Sequence, residues 1–129
     1  MHRFKFGDNR KLCEELTALV LAGKKTGTCW PHRDVATGEP MVEVGERSIY
    51  TDWDGNDVCM VEYTKIEIMP FNEVSEEFAL SEGENDTRDG WARDHRMYYE
   101  RNGGWSEDMM LVCENFRLVE VFKPTATQA

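Results

Sequence analysis

No stretch of this chain stays apolar long enough to cross a bilayer, and residues 1–10 are polar and basic without a signal-peptide core. A membrane-spanning or exported protein is not expected, and the chain reads as cytoplasmic. Closely spaced cysteines are missing too: Cys13, Cys29, Cys59 and Cys113 stand far apart, with none of the short pairs that mark zinc ribbons or redox centres. They read as reduced, mostly buried thiols. His2, His32 and His95 are equally isolated, so a metal site would have to gather ligands from distant segments, and none is proposed. No strand and helix pair carries the glycine fingerprint that cradles a nucleotide phosphate, and no cofactor is called for.

Basic charge is scarce as well. Lys and Arg number 15 against 25 Asp and Glu, for a formal net charge of -10. That balance excludes the broad basic footprint of a long duplex-DNA binder. The cations present fall into groups: Arg3, Lys5, Arg10 and Lys11; Lys24, Lys25 and Arg33; and Arg88, Arg93, His95, Arg96 and Arg101. A focused positive pocket on an acidic body suits a small nucleotide or a short single-stranded segment better than a long polyanion, with scattered solvated charge as the alternative.

What is present is a globular balance over 129 residues, 40% hydrophobic, 31% charged and 11% aromatic. That supports one core and leaves little room for two domains. Residues 1–123 are expected to form a single domain and the small, polar residues 124–129 a frayed tail. There is no internal repeat and no low-complexity segment.

The stretch 16–30 organises the chain. Leu12, Leu16, Leu19 and Val20 recur at helical spacing, which predicts a helix over residues 9–22 with Asp8 as its N-cap. Gly23 is the residue type that closes a helix in the left-handed conformation, and Lys24 and Lys25 follow near the negative end of its dipole. A C-cap explains those residues but not Thr26, Gly27 and Thr28 beyond them. This turn is therefore read as a candidate site.

Upstream, residues 3–6 read as a short strand. Downstream, residues 29–40, with Pro31, Gly38 and Pro40, read as strand edge and loop able to shape a binding mouth. Residues 40–52 read as a strand, and Trp53, Asp54, Gly55 and Asn56 as a hairpin turn into a strand over 57–69 that bends near Tyr63 and Thr64 and stops at Pro70. A helical stretch carrying Val74, Phe78 and Ala79 then leads to the acidic loop 81–90, whose default is solvation. Residues 90–101 read as a helix with Trp91, His95 and Tyr98 on one face, and residues 109–122 as a closing strand. That order predicts an α+β fold, an antiparallel barrel-like sheet covered by helices, rather than a doubly wound one.

With the segments placed, the chain resembles the ASCH family. The family's G-x-K-x-x-T motif is matched by Gly23, Lys25 and Thr28 after a helix. Further similarity lies in Phe6, Gly7 and Asp8, in the Val44, Gly45, Glu46, Arg47 turn, in residues 70–74, in Glu82, Gly83 and Glu84, in the Trp91 to His95 spacing and in the Val112, Cys113, Glu114, Asn115, Phe116 strand. The resemblance covers nearly all of the chain. It implies a PUA-like β-barrel engaged in RNA binding or modified-base recognition, with some small bacterial members hydrolysing N4-acetylcytidine and others cleaving RNA. In the amidohydrolase branch the motif lysine and threonine act with an acidic residue after the following helix. Carried over, these are Lys25, Thr28 and Glu82.

The residues themselves allow that chemistry. A threonine hydroxyl needs a base, which a partly desolvated lysine can supply, and a glutamate can carry a proton to the leaving group. A carboxylate beside Lys25 would instead keep it charged, as an oxyanion or phosphate partner, and both roles stand open. Substrate contacts are assigned to Gly23, Trp30, Arg93, His95 and Arg96, with Trp30 stacking on a base and the three cations of residues 93–96 holding phosphate. A ribonuclease acting on single-stranded RNA would draw on His95, Lys25 and Arg93. A non-catalytic RNA or base reader would use the same pocket.

Overall fold

The helix that delivers the lysine turn is capped one residue beyond the expected position. In this computed structural model, which describes residues 1–122, α1 spans Arg10–Leu21 and its N-cap is Asn9, whose side chain accepts from Leu12 N at 3.0 Å. Asp8 is drawn away by Arg101 and Asn102, which donate to it at 2.8 and 2.9 Å. At the other end Gly23 takes φ +78°, and the amides of Lys24 and Lys25 fold back to donate to Leu19 O at 2.9 and 3.1 Å. The residues expected to fray, 124–129, lie outside the described part.

Among the described residues five strands form one sheet in the order β1-β3-β4-β5-β2. They are β1 (His2–Phe4), β2 (Gly27–Pro31), β3 (Arg47–Thr51), β4 (Asp57–Pro70) and β5 (Met110–Val121). The turn at residues 52–56 joins β3 and β4 antiparallel, and most of the sheet follows that sense. The exception is β1, which pairs parallel with β3. The chain between them contains α1, β2 and a 3-10 helix (His32–Thr37), long enough for the crossover a parallel pair requires. The strand expected over 40–52 shortens accordingly to β3.

Bulges curl the sheet. Along β4 the register to β5 shifts between Met60 and Val61 and again between Tyr63 and Lys65, the latter at the expected bend. The result is a half-barrel of α+β type whose two edges, β1 and β2, face one another unpaired. One core, with Leu16, Val20, Tyr50, Val61, Tyr63 and Phe116, fills the space under α1. A second, with Phe71, Phe78, Trp91, Tyr99, Leu111 and Cys113, lies beneath α2 (Glu76–Ser81) and α3 (Arg88–Arg101).

Helix α3 starts earlier than expected because Thr87 caps it, accepting from Gly90 N at 3.0 Å. Its inward face runs through Trp91, His95 and Tyr99, at i, i+4 and i+8, so Tyr99 rather than Tyr98 is the deeply buried tyrosine. Among the described residues no helix is long and apolar enough to cross a membrane.

The α2–α3 connection passes so close to the lysine turn that a side chain would not fit. Gly83 has φ +80°, and a Cβ there would lie 2.5 Å from Lys24 O. Gly83→Ala is therefore expected to lower the unfolding free energy by about 2 kcal/mol or more, through strain and overlap together. Gly23→Ala, at φ +78° with nothing within 4 Å of the new Cβ, should lose about 1 kcal/mol from strain alone. Urea unfolding of both variants checks that order.

Candidate functional site

Lys25 is 2% exposed, and a lysine so buried must be paired. Its Nζ donates to Glu82 Oε1 at 3.1 Å and lies 3.6 Å from Glu84 Oε2. Both carboxylates come from the loop whose composition predicts solvation, yet Glu82 is itself 2% exposed. The burial of Glu82 has a local cause. Thr26 N donates to Ser81 O at 2.8 Å, which clamps the lysine turn to the end of α2, and Gly83 lets Glu82 and Glu84 flank one ammonium. Burial alone would push the Glu82 carboxyl up, but Lys25 and His95 outweigh it and hold it well below the usual carboxylate range. Burial raises Glu84, with Lys25 opposing.

The second oxygen of Glu82 collects three more neighbours. Trp91 Nε1 donates to Oε2 at 2.8 Å, Cys29 Sγ at 3.1 Å, and His95 Nε2 stands 3.3 Å away. On its other side His95 Nδ1 is 2.8 Å from Trp91 O. Two ring nitrogens that each face an acceptor suit the doubly protonated imidazolium. Burial opposes that charge, but Glu82 prevails and the His95 pKa is raised. The Cys29 thiol is pushed well up by burial and by Glu82, and its sulfur is 3.2 Å from Tyr99 OH.

Donor atoms of Cys29, Glu82 and His95 lie within 4.8 Å of one another, a mixed set of the type transition metals accept. The isolated spacing of these residues does not suggest such a group, because β2, the end of α2 and α3 each contribute one member. In this geometry the thiol and imidazolium protons satisfy the set.

Two adjoining cavities meet at β2. The smaller, about 280 Å³, is bordered by Lys25, Thr28, Glu82, Glu84 and His95. The larger, about 390 Å³, opens between the unpaired edges β1 and β2 and is bordered by Phe6, Trp30, Tyr50, Asn102 and Glu114. Thr28 borders both, and its hydroxyl makes no hydrogen bond among the described residues. Opposite Thr28 on the neighbouring strand is Glu114, 4% exposed, whose Oε2 accepts from Trp30 Nε1 at 3.1 Å. Burial pushes the Glu114 carboxyl up to about 7.

Of the residues singled out in the sequence, Lys25, Thr28, Glu82 and His95 thus converge on one cavity and Trp30 borders the other. Gly23 does not line either; it is exposed at the helix end. Arg93 and Arg96 also lie outside both cavities, the first beside Asp94 at 3.6 Å, the second paired with Glu100 at 3.2 Å and stacked 4.3 Å over Trp105. Helix geometry explains this: with Trp91, His95 and Tyr99 facing inward, residues 93 and 96 face out. The sequence pattern gives neither Glu84 nor Glu114 a role in the site. Glu114 has a readable sign, a charged residue set directly after the apolar run Leu111, Val112 and Cys113.

A family model described as ASCH domain matches residues 2–120. A solved protein of Enterococcus faecalis V583 is 31% identical, covering 94% of this chain and 77% of its own, with a TM-score of 0.85. An ASCH domain from Lactobacillus crispatus JV V101 is 32% identical, covering 91% and 79%, with a TM-score of 0.81. An ASCH protein from Zymomonas mobilis is 12% identical over 84% of this chain and 67% of its own, with a TM-score of 0.58, a likeness of fold alone. No curated protein matches the sequence.

His95, Glu84 and Glu114 all bind their protons more tightly folded than unfolded. The native state then holds the excess protons between each ordinary pKa and its raised one, so stability should fall as pH rises from about 5 to about 8. Glu114, moved from 4.5 to about 7, accounts for a loss on the order of 3 kcal/mol across that window. Glu82 and Asp8, both held low, contribute stability that is lost only as pH falls below the ordinary carboxylate range. Urea unfolding at several pH values measures the slope, and Glu114→Gln should flatten it.

Proposed function

The chain belongs to the ASCH domain family, and from that membership we propose that its cleft binds a modified nucleoside or short RNA and hydrolyses the amide of N4-acetylcytidine. ASCH domains are structurally related to PUA-like RNA-binding domains. The observation that carries the reading is the company Thr28 keeps: an unengaged hydroxyl borders the same cavity as a buried ammonium and two carboxylates.

In this reading Thr28 Oγ1 attacks the acetyl carbonyl carbon. The ion pair with Glu82 supports a role for Lys25 as the partner of the developing oxyanion rather than as the base. Glu82, held by four neighbours and depressed, then positions Lys25 and His95. Glu84, raised by burial, is the better proton carrier: it takes the Thr28 proton and returns it to N4 of the departing cytidine. Water cleaves the acetyl-threonine ester and releases acetate. The placement of Arg93 and Arg96 outside both cavities favours a nucleoside over a cleaved RNA strand.

Incubation with N4-acetylcytidine, with cytidine release followed by chromatography, tests this. The native protein should release cytidine, Thr28→Ala and Lys25→Ala should lose about a thousandfold or more, and Glu84→Gln about a hundredfold. No release by the native protein, or undiminished release by Lys25→Ala, overturns the proposal.

A further inference from the structure

Glu114 takes no part in that chemistry, although it is buried at the wall of the larger cavity. Its Oε2 accepts from Trp30 Nε1 at 3.1 Å, and its Oε1 has no hydrogen-bond partner among the described residues. An indole N–H only donates, so it marks Oε2 as the proton-free oxygen and leaves Oε1 to carry the proton when the group is neutral. The neutral carboxyl then offers a donor and an acceptor side by side, in an order that Trp30 fixes.

The surroundings suit a flat heterocycle. Phe6 and Tyr50 stack at 4.2 Å with their planes 2° apart, and both border the cavity. Thr28 and Glu114 are cross-strand partners, so their side chains are neighbours on one face of the sheet. A base whose edge meets Glu114 therefore presents its exocyclic substituent beside Thr28.

We infer that Glu114 is the base-reading group of this cleft, its cavity-facing carboxyl pairing with the N3 and N4–H edge of a cytosine-type base while Trp30 holds the carboxyl's orientation. This inference rests on the nucleoside reading above, which sets the N4 end of the base toward Thr28. Cytosine accepts at N3 and donates at N4, the complement of a neutral carboxyl, and an acyl group on N4 leaves one N4–H for the contact. Uracil carries the two groups in the reverse order, and guanine offers donors only at N1 and N2.

The protonation state decides which edge is matched. The ionisable groups around Glu114 are Cys29 of β2, Asp34 and Glu39 from the segment after β2, Lys5 from the β1 side, Tyr50 of β3, Tyr63 of β4, Tyr98 and Tyr99 of α3, and Cys113 on its own strand. The four tyrosines and the two thiols are all raised, so none is ionised near neutral pH. Glu39 acts in the same sense as burial, raising Glu114, whereas the Trp30 hydrogen bond opposes it.

Calorimetric titration with cytidine, uridine and guanosine at pH 6 and pH 8 tests the inference. With the carboxyl near 7, cytidine should bind about tenfold more weakly at pH 8 than at pH 6, because only the protonated form is competent. Uridine and guanosine should bind at least about tenfold more weakly than cytidine at pH 6. Glu114→Gln keeps an oxygen for Trp30 and an N–H₂ for the base, so it should retain affinity and lose the pH dependence. That flat profile also separates Glu114 from His95 as the source of the effect. Glu114→Ala should weaken cytidine binding about tenfold or more. A flat native profile, unchanged binding by Glu114→Ala, preference for guanosine or uridine, or no cytidine binding at millimolar concentration overturns the inference. Cytidine is the product of the proposed hydrolysis, not its substrate. Loss of this inference with turnover intact, and loss of turnover with Glu114-dependent cytidine binding intact, are therefore separate results.

Discussion

A carboxylate cut off from water must be neutralised by whatever surrounds it, and the residues that neutralise Glu82 come from every part of the site. Lys25 arrives from the turn after α1, Cys29 from β2, and Trp91 and His95 from α3, while Glu82 itself follows α2. Removing one partner from such a buried set is strongly destabilising, because it strands a charge rather than merely losing a bond. The set therefore does more than hold a lysine. It fixes how the α2–α3 unit docks on the sheet edge, and with that the width of the cavity bordered by Thr28.

The same balance sets what the cleft accepts. An acidic chain with clustered basic residues suggests a focused positive pocket. The structure instead puts two cations, Lys25 and His95, against two carboxylates, Glu82 and Glu84, and turns Arg93 and Arg96 outward. For the nucleoside reading proposed above, a charge-balanced, aromatic-walled cleft supports a neutral base over a phosphate chain. The net charge was informative about what the chain excludes and misleading about the site.

Local patterns made much of the fold legible. The spacing of Leu12, Leu16, Leu19 and Val20 marks α1, the Asp54 and Gly55 pair marks the β3–β4 turn, and the alternation through Val58 to Ile68 marks β4, because each is a short-range consequence of helical or strand geometry. Long-range events were not legible. Asp8 looks like a cap until Arg101 claims it from 93 residues away, and Glu82 looks solvated until Lys25, 57 residues distant, is folded over it. The parallel β1–β3 pair likewise leaves no local trace. The motif lysine and threonine were identified through resemblance; the neighbours that give them an environment emerge only in three dimensions.

The order of the strands also constrains when the cleft can exist. Among the described residues β2, which carries Thr28 and Trp30, pairs only with β5, the last of the five strands, and its register joins Gly27 to Asn115. On a chain emerging from synthesis, β2 therefore keeps an unpaired edge until β5 has been made, and Lys25 waits 57 residues for Glu82. Such non-local closure is slow and exposes partly folded chains to aggregation. The cleft is thus a property of the assembled sheet, and its formation reports that β2 and β5 have paired.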